Sequence, residues 1–119
     1  MIVLVVDDDP YAAELVGALL ELQGHRVFTA RNPEHALRLA EQIQPELVFV
    51  DIGLPRMDGF ELADEMRLLP HMAECRFVAI TGFDDSYDRL RTVVSRFEGR
   101  LLKPVGIEAL TGVMLASPR

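Results

Sequence analysis

Apolar residues along this chain fall into two patterns. Short runs rich in valine and isoleucine, at residues 2–6, 26–30, 47–50, 77–80 and 101–102, are too brief for helices. They read as strands, most of them buried on both faces. Between them, apolar positions recur every three or four residues, as on one face of a helix. Asp9 and Pro10 cap and open a first helix whose apolar side carries Leu15, Leu19 and Leu22, with Gly24 as its stop. Asn32-Pro33 opens a second, with Ala36, Ala40 and Ile43 on one face beside Leu37, closed by Pro45. Asp58-Gly59 begins a third, striped with Leu62, Met66 and Leu69 and ended by Pro70. A more polar helix is expected over about 86–97, anchored by Leu90, Val93 and Val94. The last, from about Ile107 to Leu115, is expected to bury Leu110, Val113 and Met114.

Five strands alternating with five helices predict a parallel sheet with right-handed crossovers and helices on both faces. The fold class is a doubly wound α/β domain, with the flavodoxin-like strand order 2-1-3-4-5 as the natural candidate. No internal repeat, low-complexity tract or linker divides residues 1–119, so one domain is expected.

Composition narrows the function. Half the residues are hydrophobic, enough for a core without disulfides or a structural metal. The single cysteine, Cys75, excludes an intrachain disulfide and argues against a cysteine-based zinc site; a partly buried thiol is expected. A net charge of −7 with no basic run argues against direct contact with nucleic acid. The apolar opening, Met1 to Val6, lacks a basic flank and is too short to span a bilayer, so a cytoplasmic domain without membrane contact is expected.

The chemistry lies where the strands stop. The third run, Leu47-Val48-Phe49-Val50, ends abruptly in Asp51, followed by Gly53 and Pro55 in an irregular loop. A carboxylate there contributes nothing to a core and is costly to bury. The carboxyl ends of parallel strands, however, are where open α/β sheets bind ligands. The first strand ends in Asp7 and Asp8, the fourth in Thr81, the fifth in Lys103. One sheet edge thus gathers three carboxylates, a hydroxyl and an ammonium. Clustered carboxylates raise one another's pKa unless a cation is present. An all-oxygen set without His or Cys suits Mg²⁺ rather than zinc. Lys103 and Thr81 would serve a phosphoryl group, and Asp51 would be the nucleophile that forms an acyl phosphate.

Four pieces in order, Val5-Val6-Asp7-Asp8-Asp9, Val50-Asp51-Ile52-Gly53-Leu54-Pro55-Arg56-Met57-Asp58-Gly59, Ile80-Thr81-Gly82 and Leu102-Lys103-Pro104, resemble the receiver domain of two-component response regulators. The resemblance covers essentially the whole chain and is nearest in flavour to receivers attached to hybrid histidine kinases. It implies that Asp51 accepts a phosphoryl group from a histidine on a sensor kinase or phosphotransfer domain. It implies Mg²⁺ bound by Asp8 directly, Asp7 through water, Asp51 and the Gly53 carbonyl. It also implies a Thr81 hydroxyl that moves toward the phosphoryl group, with Lys103 as its basic partner. Such a module is not an enzyme acting on a diffusible substrate; it switches its own surface, as a monomer or weak dimer. With nothing after Pro118 long enough for an output domain, a stand-alone receiver or a piece of a longer protein is expected.

Three positions depart from the family pattern. Arg100 stands three residues before the lysine, where receivers usually carry the aromatic partner of the threonine, and is expected at the surface. Val105 stands where many have phenylalanine, and Phe83, two residues past Thr81, is expected to slow dephosphorylation. Asp9 and Asp58 read as helix caps, Asp84-Asp85 as a solvated turn, and Met57 and Met66 as filling. His25, His35 and His71 have no metal-ligand spacing and are expected to be exposed. A phosphatase of the haloacid dehalogenase type would need an acid two residues after the nucleophile, where Gly53 stands. A receiver that only binds partners would not need all of Asp7, Asp8, Asp51, Thr81 and Lys103.

Overall fold

A computed structural model describes residues 1–54, 57–82, 91 and 96–116. Five strands form one parallel sheet: β1 (Ile2–Val6), β2 (Arg26–Ala30), β3 (Leu47–Asp51), β4 (Arg76–Thr81) and β5 (Gly99–Leu102), in the order 2-1-3-4-5. Four helices lie among the described residues: α1 (Pro10–Leu22), α2 (Pro33–Ile43), α3 (Gly59–Arg67) and α4 (Ile107–Ala116). The helix expected over 86–97 falls largely outside the described residues, as do Phe83, Asp84, Asp85, Leu90, Val93 and Val94. Phe97, placed in that helix from the sequence, is not helical.

The sheet separates two cores by the period-two alternation of its strands. Leu4, Val6, Val48, Val50, Phe77 and Ala79 face α2 and α3, while Val3, Val5, Phe49, Val78, Ile80 and Leu101 face α1 and α4. Every residue of β3 is buried, so burial holds the central strand in place from both sides. Each fully buried Phe or Leu contributes about 2 kcal/mol.

Helix starts follow the capping pattern. Asp9 accepts the Tyr11 N–H, Asn32 the His35 N–H, and Asp58 forms a reciprocal capping box with Glu61. Helix α1 buries Ala13, Val16, Gly17 and Leu20; of the expected Leu15–Leu19–Leu22 stripe only Leu19 packs against the core, half-buried. Leu22 is 82% exposed and Leu15 is exposed as well. Both stripes have helical spacing, and the one that packs on the sheet mixes Val16 and Leu20 with the small Ala13 and Gly17. A Cβ on Gly17 would lie 3.5 Å from Val27 Cγ1, in ordinary contact. Helix α3 ends at Arg67, three residues before Pro70, and leaves Leu69 half-buried beyond it. In α4, Leu110 is fully buried, whereas Val113 and Met114 are half-buried. His71 is exposed as expected, but His25 and His35 are half-buried; the His25 ring contacts the Met1 amino group at 3.1 Å.

Candidate functional site

The parallel register brings the strand ends to one edge. Val6 of β1 lies beside Val50 of β3, Asp51 beside Ile80 of β4, and Thr81 beside Leu102 of β5. Asp7, Asp51, Thr81 and Lys103 therefore sit at or one residue beyond a strand's last paired position, and Asp8 two beyond. Backbone bonds continue the ladder past the strands, from Asp7 N–H to the Ala30 carbonyl, Ile52 N–H to Ile80, and Lys103 N–H to Thr81, all within 3.0 Å. Rigid backbone thus carries the site.

Asp7 is fully buried, Thr81 is 1% exposed and Asp51 is 6% exposed, while Asp8 is open to solvent. Carboxylate oxygens of Asp7, Asp8 and Asp51 all lie within 4.8 Å of one another. Lys103 Nζ reaches into this cluster, 3.0 Å from Asp51 Oδ2 and 3.1 Å from Asp7 Oδ1. Asp51 Oδ1 accepts the Gly53 N–H at 2.8 Å, and Asp7 Oδ1 accepts the Asp9 N–H at 3.0 Å. Asp7 Oδ2 lies 2.9 Å from Lys103 Nζ, a close charge contact, yet without hydrogen-bond geometry to any donor among the described residues.

Burial raises the Asp7 carboxyl to about 6; the Asp9 amide and the Lys103 hydrogen bond oppose it, and the Asp51 charge adds to it. For Lys103, burial alone favours the neutral amine, but hydrogen bonds to Asp7 and Asp51 carry the ammonium above its ordinary value. It stays charged. The buried, donor-less oxygen of Asp7 beside two more carboxylates fits a hard cation with oxygen ligands, and the set offers nothing soft enough to favour zinc.

The structure brings together Asp7, Asp8, Asp51 and Lys103 as the sequence led us to expect, with Thr81 buried on the adjoining strand end. Gly53 lies against Asp51 through its N–H. Asp9 and Asp58 serve as caps. Arg100, expected at the surface, is half-buried on the sheet face opposite Gly99 and Leu101. An apolar groove lined by Tyr11, Leu15, Pro104 and Val105 runs beside Asp7 and Lys103; residue spacing carries no signal for it, because it joins the start of α1 to the turn after β5.

The topology and the acidic edge define a doubly wound α/β domain with a potential cation site, and comparison with known proteins makes the assignment specific. The family described as the response regulator receiver domain matches residues 3–114, and the chain belongs to it. An uncharacterised 14.6 kDa protein of Leptolyngbya boryana is 40% identical over 88% of this chain and 80% of its own length. The signal transduction histidine-protein kinase BarA of Escherichia coli is 30% identical over 97% of this chain, which spans only 12% of that kinase. A CheY-like receiver domain from Methylobacillus flagellatus superposes with a TM-score of 0.87 at 29% identity, covering 98% of this chain and 97% of the other. Among the described residues no helix is long and apolar enough to cross a membrane.

Proposed function

We propose that this receiver domain is a phosphoacceptor in a two-component phosphorelay, with Asp51 taking a phosphoryl group from a phosphohistidine on a histidine kinase or phosphotransfer domain. One observation carries the reading: the Asp51 carboxylate, 6% exposed, shares an edge with two further carboxylates and lies 3.0 Å from an ammonium. A structural carboxylate needs no such company.

In the transfer, a carboxylate oxygen of Asp51 forms the new bond to phosphorus while the phosphorus–nitrogen bond breaks. The electron pair leaves on the imidazole, which takes up a proton. Lys103, already paired with Asp51 Oδ2, neutralises charge on the transferring group, and the Thr81 hydroxyl donates a hydrogen bond to it. The Gly53 N–H holds the second oxygen of Asp51 and fixes the plane of the carboxylate. Asp7, Asp8, Asp51 and the Gly53 carbonyl would hold Mg²⁺, which supplies charge neutralisation and orients phosphoryl oxygens. The domain acts on itself rather than on a diffusible substrate. The groove beside Lys103, with Tyr11 81% exposed at its rim, suits a protein donor, and the acidity of the chain sets nucleic acid aside. The cytoplasm is the compartment this role implies, and a monomer or weak dimer its form.

Intact mass after incubation with acetyl phosphate tests the reading, with and without Mg²⁺, on wild type and Asp51→Asn. A magnesium-dependent gain of one phosphoryl group, absent from the variant, is expected. No gain in wild type, with magnesium binding demonstrated, would leave a module that only binds partners.

A further inference from the structure

The stretch preceding β5 is tied to α3 at two points. At the first, Arg91 Nη1 lies 3.2 Å from Asp58 Oδ2, and the same guanidinium covers the Phe60 ring at 4.4 Å. At the second, Arg67 Nη2 donates to the Arg96 carbonyl at 3.3 Å, with its guanidinium 5.6 Å from the Phe97 ring and 4.5 Å from that of Phe77. Phe97 also meets Phe60 edge-on, at 5.5 Å. Cation–π contact thus acts with an ion pair at the first point and with a hydrogen bond to a backbone carbonyl at the second.

Helix α3 is itself seated on Asp51. A Cβ on Gly59 would lie 2.7 Å from the Asp51 carbonyl oxygen and 2.7 Å from Ile52 Cα, so only glycine lets the first turn rest on that backbone. The Gly59 N–H bonds the Ile52 carbonyl at 3.3 Å. One residue earlier, Asp58 divides its carboxylate: Oδ1 caps the helix by accepting the Glu61 N–H, and Oδ2 faces Arg91. The cap of α3 and the anchor of Arg91 are the same side chain.

The two ties differ in what they stand on. Asp58 and Phe60 both belong to the start of α3, above Asp51, whereas Arg67 rests on Phe77 of β4, within the sheet. We propose that the state of Asp51 passes to Arg91 through the start of α3, with Asp58–Arg91 as the tie that moves and Arg67–Phe97 as the pivot. The inference rests on the phosphoacceptor reading. Phosphorylating either oxygen of Asp51 weakens an acceptor of the Gly53 N–H or of Lys103 and adds charge. The turn after β3 and the first turn of α3 adjust together, and Asp58 carries Arg91 with them.

Hydrogen exchange of the peptide containing Arg91, measured with and without acetyl phosphate and Mg²⁺, tests this. Intact mass is read on the same samples. The variants are Arg91→Gln, Arg91→Lys and Asp58→Asn, the last keeping a capping oxygen while losing the charge. Phosphorylation is expected to change exchange about fivefold in wild type and Arg91→Lys, and under about twofold in Arg91→Gln and Asp58→Asn, with equal phosphoryl uptake in all. A wild-type response in Arg91→Gln, or phosphoryl uptake by wild type with unchanged exchange, overturns the proposal. No uptake by wild type removes the phosphoacceptor reading and this inference with it, and the mass distinguishes that case.

Discussion

Lys103 and Asp51, 52 residues apart in the chain, meet at 3.0 Å, and the same ammonium also bonds Asp7. The lysine thus balances two carboxylates that would otherwise repel. Replacing it with glutamine should act in opposite directions on two measurements. Phosphoryl transfer to Asp51 should fall about 10²-fold, the typical cost of losing one preorganised donor to a developing anion. Mg²⁺, titrated by isothermal calorimetry, should bind more tightly, because it no longer competes with a resident cation. Weaker magnesium binding in Lys103→Gln would show that the lysine organises the cluster rather than neutralising it.

Asp7 makes stability depend on pH. Its folded carboxyl is raised from 3.8 to about 6, with burial the main cause. A raised pKa means the folded state holds a proton that the unfolded chain has released. That stabilisation is full below about pH 4 and is lost as pH rises through about 6. Ionised Asp7 then costs on the order of 2–3 kcal/mol at neutral pH. In metal-free urea denaturation, Asp7→Asn should match wild type near pH 4 and exceed it by about that amount near pH 7.5. Added Mg²⁺ should narrow the gap. An equal difference at both pH values would count against the ionisation account.

Leu20 and Leu22 of α1 are two residues apart and face opposite ways, one fully buried and the other 82% exposed. Leu20→Ala should cost about 2–5 kcal/mol by cavity formation, and Leu22→Ala within about 0.5 kcal/mol. Thermal or chemical denaturation of the two variants reads the rotation of α1 directly. Similar losses in both would restore the leucine face to the core.

Cys75 is half-buried, and burial pushes its thiol up to about 12 even though Arg67 and Arg76 pull the other way. The thiolate is the reacting form, so alkylation by iodoacetamide at pH 8 should run roughly 10²–10³-fold slower in the folded protein than in urea. Rapid labelling of the folded chain would exclude this burial.

Much of this was legible in the sequence, for identifiable reasons. The strand runs were short, β-branched and bounded by acids, glycines and prolines, so β2 and β3 fall where their patterns put them. The site residues were legible because parallel topology converts five scattered strand ends into one edge. What failed depended on depth rather than on period. Leucine spacing in α1 looked like a core face, but the stripe that packs on the sheet is Ala13, Val16, Gly17 and Leu20. Helix α3 stopped well short of Pro70, which restrains the residue before it but does not say how far back the helix frays. Arg100 read as a surface charge, since one strand position cannot reveal what packs over it.

The turn after β3 is fastened at its two ends to two adjacent residues. Asp51 Oδ1 holds Gly53 at the near end, and the Ile52 carbonyl accepts the Gly59 N–H at the far end. Topologically the turn is a ring with the Asp51–Ile52 pair as its clasp. A residue inserted between Gly53 and Asp58 would enlarge the ring and leave the clasp shut. One inserted between Asp51 and Ile52 would open it, separating the reactive carboxylate from the helix that rests on it, though every side chain named in the site would still be present.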